Sequence, residues 1–160
     1  MNDSSVDILL VEDSQDDIDL ALHALRDGKI AGTISVVRDG EEALDFLFCQ
    51  GPFSHRSFDR PPKLVLLDLK LPKIDGLQVL KALKGDPRTQ PIPVVILTSS
   101  REERDLVESY RSGVNSYIQK PVDFAQFREA VNALGLYWMV VNQPPMWQRM
   151  GEMRSERLGR

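Results

Sequence analysis

The chain has 160 residues, of which 42% are hydrophobic and 28% are charged, and its formal net charge is −4. This length suits one domain with a sizeable core. The acidic balance and the lack of a long basic block argue against a general nucleic-acid-binding protein. The single cysteine, Cys49, excludes an internal disulfide and a cysteine-based metal cluster. No apolar run is long enough for membrane insertion, and the polar, acidic N-terminus is unlike a signal peptide, so we expect a cytosolic protein.

Short apolar runs and amphipathic segments alternate five times along the chain. The predicted strands cover residues 6–11, 33–37, 64–67, 92–97 and 114–118. The predicted helices cover the segment between Ser14, a plausible N-cap, and Gly28, and then residues 41–50, 76–84, 101–111 and 122–142. This alternation, with short connections, indicates a parallel sheet with helices on both faces and right-handed crossovers. The pattern alone leaves the strand order open.

Three details of the helices and loops follow from residue type. The first predicted helix has a broad apolar stripe made of Ile18, Leu20, Ala21, Leu22 and Leu25. The second contains Cys49 beside three large apolar residues, which predicts a buried thiol. The two histidines, His23 and His55, lack a partner pattern typical of metal binding or acid–base chemistry and are expected at the surface.

Asp68 stands at the carboxyl end of the third predicted strand. The preceding run Leu64–Leu67 is continuously apolar, which is typical of a strand buried on both faces. Ligands of open parallel sheets bind outside the carboxyl ends of the strands, so this carboxylate would be held rigidly and yet be open to a reagent from solvent. An isolated aspartate in this place more often only begins a turn.

The other strands end in residues of complementary chemistry. Glu12 and Asp13 follow the first strand, Thr98 the fourth and Lys120 the fifth. Gathered carboxylates repel one another unless a cation intervenes, and their hard oxygens suit Mg²⁺ (or Mn²⁺). An aspartate can accept a phosphoryl group, while a metal, a lysine and a hydroxyl stabilise the transferring oxygens. We therefore predict Asp68 as the phosphoryl acceptor, Glu12 and Asp13 as metal residues, Lys120 as counter-charge and Thr98 as the sensing hydroxyl.

These motifs resemble response regulator receiver domains, the flavodoxin-like group that includes the chemotaxis protein CheY. The matching segments are ILLVED, LVLLDLKLPKIDG, VVILTSS and SYIQKP, which span roughly residues 6–135. The resemblance implies an α/β, flavodoxin-like (βα)5 doubly wound parallel sheet with strand order 2-1-3-4-5. It also implies a two-component system in which a histidine kinase is the phosphodonor.

The resemblance further assigns roles within the site. It implies a metal ion held by Asp13, Asp68 and the backbone carbonyl of Lys70, and a cis peptide before Pro121 that aims Lys120 into the site. Thr98 and Tyr117 would form the switch, Thr98 moving toward the phosphoryl group and Tyr117 turning into the vacated space. The chain would then be a signalling protein that catalyses only its own phosphorylation and dephosphorylation, without a conventional substrate.

A narrower resemblance is to the stand-alone response regulators that serve phytochrome-type sensor kinases. It is carried by DGEEALDFL, the loop beginning GPF, and NSYIQKPVDF. It implies a phytochrome-type photoreceptor kinase as partner. Lys70 departs from these relatives, which often carry Asn there, and its side chain is expected near the phosphoryl group. The lifetime of the acyl phosphate is therefore left open.

The chain divides into a receiver domain, residues 1–142, and a C-terminal tail, residues 143–160. The tail is too short for a DNA-binding module or a second enzyme core, so we expect signalling through altered protein contacts. Apolar residues from Phe127 to Val141 recur at spacings of 4, 3, 4 and 3, and Tyr137–Val141 is apolar on every side. An exposed surface of this kind predicts a homodimer through the extension.

Three other classes of function remain as alternatives. An aspartyl-phosphate hydrolase requires a second acid two residues after the nucleophile, where Lys70 stands. A nucleotide or flavin binder requires a glycine- or hydroxyl-rich phosphate loop after the first strand, where Glu12 and Asp13 would repel phosphate unless a metal were bound. A pseudo-receiver that serves only as a dimerisation scaffold would not require all three acids, Glu12, Asp13 and Asp68, and their presence argues against this class.

Overall fold

The computed structural model describes residues 7–27, 32–99 and 116–134. Within them, five parallel strands form one sheet in the order β2-β1-β3-β4-β5. The strands are β1 Ile8–Val11, β2 Ile34–Val37, β3 Leu64–Asp68, β4 Val94–Thr98 and β5 Ser116–Gln119. The helices are α1 Gln15–Asp27, α2 Gly40–Leu47, α3 Gly76–Lys84 and α4 Phe124–Ala133, with a 3₁₀ turn at Gly51–Phe53. The predicted fold and strand order are confirmed.

Some predictions lie outside the described residues. These are the helix over 101–111, the last helix beyond residue 134, the apolar extension and the tail. The division of the chain at residue 142 lies there as well. Within the described ranges, no helix is both long enough and apolar enough to cross a membrane.

The strand residues alternate between two hydrophobic cores, one on each face of the sheet. Leu10, Leu66 and Ile118 pack with α1 and α4 on one face. Leu9 and Leu67 pack with α2 and α3 on the other. Successive side chains of a strand point to opposite faces, so a sheet covered on both sides requires apolar residues at every position. This requirement explains the continuous apolar runs in the sequence.

Helix α2 ends at Leu47 and not at Gln50 as predicted. The Gln50 amide donates to Asp45 O at 2.9 Å and the Cys49 amide to Phe46 O at 3.3 Å, the two hydrogen bonds of a Schellman motif. Cys49 occupies the left-handed position of this motif with φ of 54°, where glycine is usual. Its side chain is half-buried, so the predicted burial of the thiol is wrong.

Two further features of the structure differ from the predictions for physical reasons. Strand β4 begins at Val94 because the amide of Ile92 bonds to Thr89 O at 3.0 Å within the preceding turn, and Pro93 has no N–H to donate. The apolar stripe of α1 is narrower than predicted, since Leu20 is 48% exposed while Ile18, Ala21 and Leu25 are buried. Both histidines are exposed, as predicted.

The loop between α2 and β3 is tied to the domain by a buried arginine. Arg56 lies 3.8 Å over the ring of Phe46, donates to Phe46 O, and donates to Arg60 O at 3.2 Å. Burial lowers the pKa of Arg56. Because this loop joins the end of α2 to the start of β3, it lies at the amino end of the sheet and leaves the carboxyl edge open.

Candidate functional site

The alternation of strand side chains brings three charged residues to one face of the carboxyl edge. Glu12, Asp68 and Lys120 each stand two positions after a residue of the core beneath α1 and α4: Leu10, Leu66 and Ile118. A spacing of two along a strand returns the side chain to the same face. The three charged side chains therefore meet beside α1.

The Lys120 ammonium is the centre of this cluster. Its Nζ atom lies 2.8 Å from Glu12 Oε1, 3.1 Å from Asp68 Oδ2 and 3.1 Å from Asp17 Oδ2. Its side chain is only 14% exposed, and that of Asp68 only 3%. Lys120 therefore faces three carboxylates at ion-pair distance. The predicted pairing of Lys120 with Asp68 is present in the structure.

Three carboxylates are arranged so that they could hold a metal ion. Glu12, Asp13 and Asp68 each offer an oxygen, and these atoms lie within 4.8 Å of one another. Glu12 and Asp68 are buried, whereas Asp13 is exposed. Glu12 Oε1 is buried and makes no well-angled hydrogen bond, although Lys120 Nζ is close to it. One ammonium cannot balance three carboxylates, and the all-oxygen donor set fits a hard divalent cation.

Burial and neighbouring charges together shift the pKa values of Glu12 and Lys120. Burial raises the pKa of Glu12 to about 7; the close Lys120 ammonium opposes this rise and the Asp68 charge adds to it. Burial lowers the pKa of Lys120, but its close contact with Glu12 and the charges of Asp68 and Glu12 together raise it above its ordinary value. Lys120 therefore stays protonated in the cluster and can stabilise an anion.

The segment after Asp68 is packed closely against the start of α3. The amide of Lys70 donates to Asp68 Oδ1 at 3.4 Å, and the amide of Gly76 donates to Leu69 O at 2.9 Å. A Cβ atom at Gly76 would lie 2.2 Å from Asp68 O, so a side chain does not fit there. A capping box between Asp75 and Gln78 begins the helix at this point. The predicted start of α3 at Gly76 is confirmed, and the Lys70 side chain is exposed.

The two residues of the predicted switch lie on adjacent strands. Thr98 is the last residue of β4 and is buried, while Tyr117 in β5 is half-buried. Tyr117 pairs with Ile96, two positions before Thr98, so both predicted switch residues belong to the same face of the sheet. The Lys120–Pro121 peptide is cis, as the resemblance implies.

Asp17 is not among the site residues predicted from the sequence. An acid in the first turn of a helix is normally explained by the helix dipole, so its presence carries no further signal by itself. A second signal was available, since Asp17 lies four residues before the buried Ala21 and therefore on the side of α1 that faces the sheet. The contact with Lys120 shows that this acid belongs to the cluster.

Both the sequence and the structure are similar to those of known proteins. The sequence matches the response regulator receiver domain family over residues 8–132. The structure is similar to that of the bacteriophytochrome response regulator AtBRR, with a TM-score of 0.80 and 50% identity, covering 88% of this chain and 100% of that chain.

Two other relatives are similar over most of their length. Response regulator Rcp1 of Synechocystis sp. (strain ATCC 27184 / PCC 6803 / Kazusa) is 39% identical over 132 residues, which are 82% of this chain and 88% of Rcp1. A crystal structure of the Mn²⁺-bound form of a response regulator Rcp1 gives a TM-score of 0.65 with 39% identity and covers 82% of this chain and 92% of that chain. The probable methanogenesis regulatory protein FilR2 of Methanothrix harundinacea (strain 6Ac) is 40% identical over 139 residues, 86% of each chain.

Proposed function

Because the chain belongs to the response regulator receiver domain family, we propose that Asp68 accepts a phosphoryl group from a sensor histidine kinase and that the chain signals by the resulting conformational change. The observation that carries this proposal is the contact of Lys120 with Asp68 at 3.1 Å beside three carboxylates able to share a cation. A nucleophile, a fixed positive charge and a metal site are the parts that phosphoryl transfer needs.

The chemistry of the transfer involves one bond formed and one broken. A carboxylate oxygen of Asp68 attacks the phosphorus atom of a phosphohistidine, and an acyl P–O bond forms as the P–N bond breaks. The leaving imidazole nitrogen keeps the bonding electrons. Lys120, held 3.1 Å from Asp68, offsets the negative charge on the phosphoryl oxygens.

A divalent cation, Mg²⁺ or Mn²⁺, would supply the remaining positive charge. We assign its direct binding to Asp13, Asp68 and the backbone carbonyl of Lys70, and give Glu12 a role through water. The different environments of the two acids support this division, because Glu12 is buried against Lys120 while Asp13 is exposed. The exposed Asp13 carboxylate is the one that can turn toward an arriving hydrated cation.

The signal is proposed to leave the site through Thr98 and Tyr117. A phosphoryl oxygen on Asp68 would accept a hydrogen bond from the Thr98 hydroxyl, and Tyr117 would turn into the space that Thr98 leaves. Their position on one face of β4 and β5 supports the coupling. The outcome would be a two-state change in the surface beside β5.

The similarity to a bacteriophytochrome response regulator confirms the narrower resemblance. It supports a phytochrome-type photoreceptor kinase as the phosphodonor, and with it a cytoplasmic site of action. We further propose that the chain forms a homodimer through the apolar extension after Leu134, an inference that rests on the sequence.

Incubation with acetyl phosphate and Mg²⁺, followed by intact mass spectrometry, tests the proposal. We expect one phosphoryl group on the parent chain and none on Asp68→Asn, which preserves the shape of the side chain but removes the nucleophile. Failure of the parent to gain a phosphoryl group, or equal labelling of the variant, would overturn the assignment.

A further inference from the structure

Asp17 is a carboxylate of the cluster for which the proposed transfer requires no role. Its Oδ2 atom lies 3.1 Å from Lys120 Nζ across a separation of 103 residues, and its side chain is 34% exposed. Asp68 and Glu12, the other two partners of the ammonium, are almost fully buried. Asp17 is therefore the outer partner of Lys120, on the solvent side of the site.

The position of Asp17 is fixed by the start of α1. Its amide donates to the Ser14 hydroxyl at 3.3 Å, and the Ser14 amide donates to Glu12 Oε2 at 3.2 Å. Ser14 therefore connects the start of α1 to Glu12, an acid of the site. The first turn of α1 places Asp17 next to Lys120. Within the described residues, the Asp17 carboxylate forms an ion pair with Lys120.

The charge of Asp17 opposes the reaction that the site performs. Carrying the phosphoryl group gives the Asp68 side chain one more negative charge than the free carboxylate, and the donor that approaches is itself an anion. A neighbouring carboxylate repels both, and it also offsets part of the positive charge that Lys120 would present to the phosphoryl oxygens. Glu12 and Asp13 have a compensating use at the metal, whereas Asp17 lies outside that group of three.

We propose that Asp17 is a positioning residue that acts through Lys120 as a brake: its charge draws the ammonium outward and lowers the stability of the phosphorylated state. This inference rests on the proposed acceptor role of Asp68. Asp17 sets how much of the Lys120 charge the phosphoryl group receives, and thereby sets the balance between the phosphorylated and free forms.

The test uses a substitution that removes the charge but keeps an acceptor. Asp17→Asn leaves an amide oxygen to which Lys120 can still donate, but it removes the charge that draws the ammonium outward and repels the phosphoryl group. We expect a two- to fivefold higher rate of labelling by acetyl phosphate with Mg²⁺, which is about the range for one partly exposed charge pair. We also expect a slower loss of the phosphoryl group after the donor is removed.

The matched control is Asp16→Asn in the same helical turn. Asp16 is exposed and the substitution changes the net charge equally, so its labelling rate should equal that of the parent. Rates are measured over a range of donor concentrations, and Asp17→Glu, which restores the charge, should return the slow rate. A general loss of structure would lower labelling, and so it cannot imitate the expected gain.

The outcomes separate this inference from the proposed function. If the parent, Asp17→Asn and Asp16→Asn all label at the same rate, the acceptor role of Asp68 stands and the brake is refuted. Slower labelling of Asp17→Asn would show that Asp17 assists the reaction, which also refutes the brake. If the parent itself is not labelled, both proposals fail together. An equal gain in both variants would assign the effect to overall charge and contradict the specific role of Asp17.

Discussion

The backbone carbonyl of Thr98 accepts a hydrogen bond from the amide of Lys120 at 2.8 Å. The residue proposed to sense the phosphoryl group is thus joined directly to the residue proposed to neutralise it. Both stand at the point where their strands end, so the bond continues the pairing of β4 and β5 by one step. This bond uses the backbone carbonyl of Thr98, so the hydroxyl takes no part in it.

Thr98→Ala should therefore separate phosphorylation from the response. The backbone bond to Lys120 persists, so we expect Asp68 to be labelled, while the loss of the hydroxyl removes the pull that would move Tyr117. Amide NMR spectra recorded with and without acetyl phosphate measure the response. Thr98→Ser keeps the hydroxyl and is expected to respond as the parent does. Identical spectral changes in the alanine variant and the parent would refute the coupling.

The residues of the site were predictable because parallel strands align their carboxyl ends. The apolar runs alone predict Glu12, Asp68 and Lys120 at those ends, and the structure brings all three together. Asp17 was missed because the helix dipole already explains an acid in a first turn, and its spacing of four from Ala21 shows only that it faces the sheet. Spatial proximity across 103 residues required the fold.

The boundaries that were wrong share a cause in backbone hydrogen bonding. Cys49 adopts the left-handed conformation at the end of α2, where glycine is the usual residue. The residue type therefore did not indicate that the helix ends there. Strand β4 likewise starts later than its apolar run, because Ile92 is bound within a turn and Pro93 has no donor. Residue type predicts burial more reliably than it predicts which carbonyl oxygen accepts the hydrogen bond of each backbone amide.

Metal affinity should depend more on Asp13 than on Glu12. Asp13 is exposed and is proposed as a direct ligand, whereas Glu12 is already bound to Lys120 and to the amide of Ser14. We expect Glu12→Ala to weaken Mg²⁺ binding by about tenfold, as is common for an outer-sphere partner, and Asp13→Ala to weaken it further. Isothermal calorimetry measures both, with Asp16→Ala as the control that should bind as the parent does. An equal or reversed order would contradict the assignment.

Gly76→Ala should disturb the acceptor without touching a charged group. A Cβ atom there would lie 2.2 Å from Asp68 O and 2.7 Å from Leu69 Cα, so the end of β3 must shift. We expect a loss of about 1–3 kcal/mol in unfolding free energy, the range for overpacking, and slower labelling. The same substitution at Gly85, at the other end of α3, would meet Lys81 O at 3.0 Å and should cost less. Equal losses in urea unfolding would refute the special packing at Gly76.

Truncation after Leu134 tests the proposed dimer. The segment Tyr137–Val141 is apolar on every side, and covering such side chains is worth about 1.5–3 kcal/mol each. We expect the full chain to sediment as a dimer at micromolar concentration and the truncated chain as a monomer. The same sedimentation behaviour in both, whether monomer or dimer, would show that the extension is not the dimerising element.

The role of Asp68 as the phosphoryl acceptor can be checked by locating the modified residue. Reduction of the phosphorylated chain with borohydride converts an aspartyl phosphate to homoserine, which peptide mass spectrometry then assigns to one position. We expect homoserine at position 68 in the parent chain, in an amount that follows the intact-mass labelling, with none at Asp13 or Asp17 and no reduced alcohol at Glu12. Homoserine at another position, or labelling without homoserine at position 68, would contradict it.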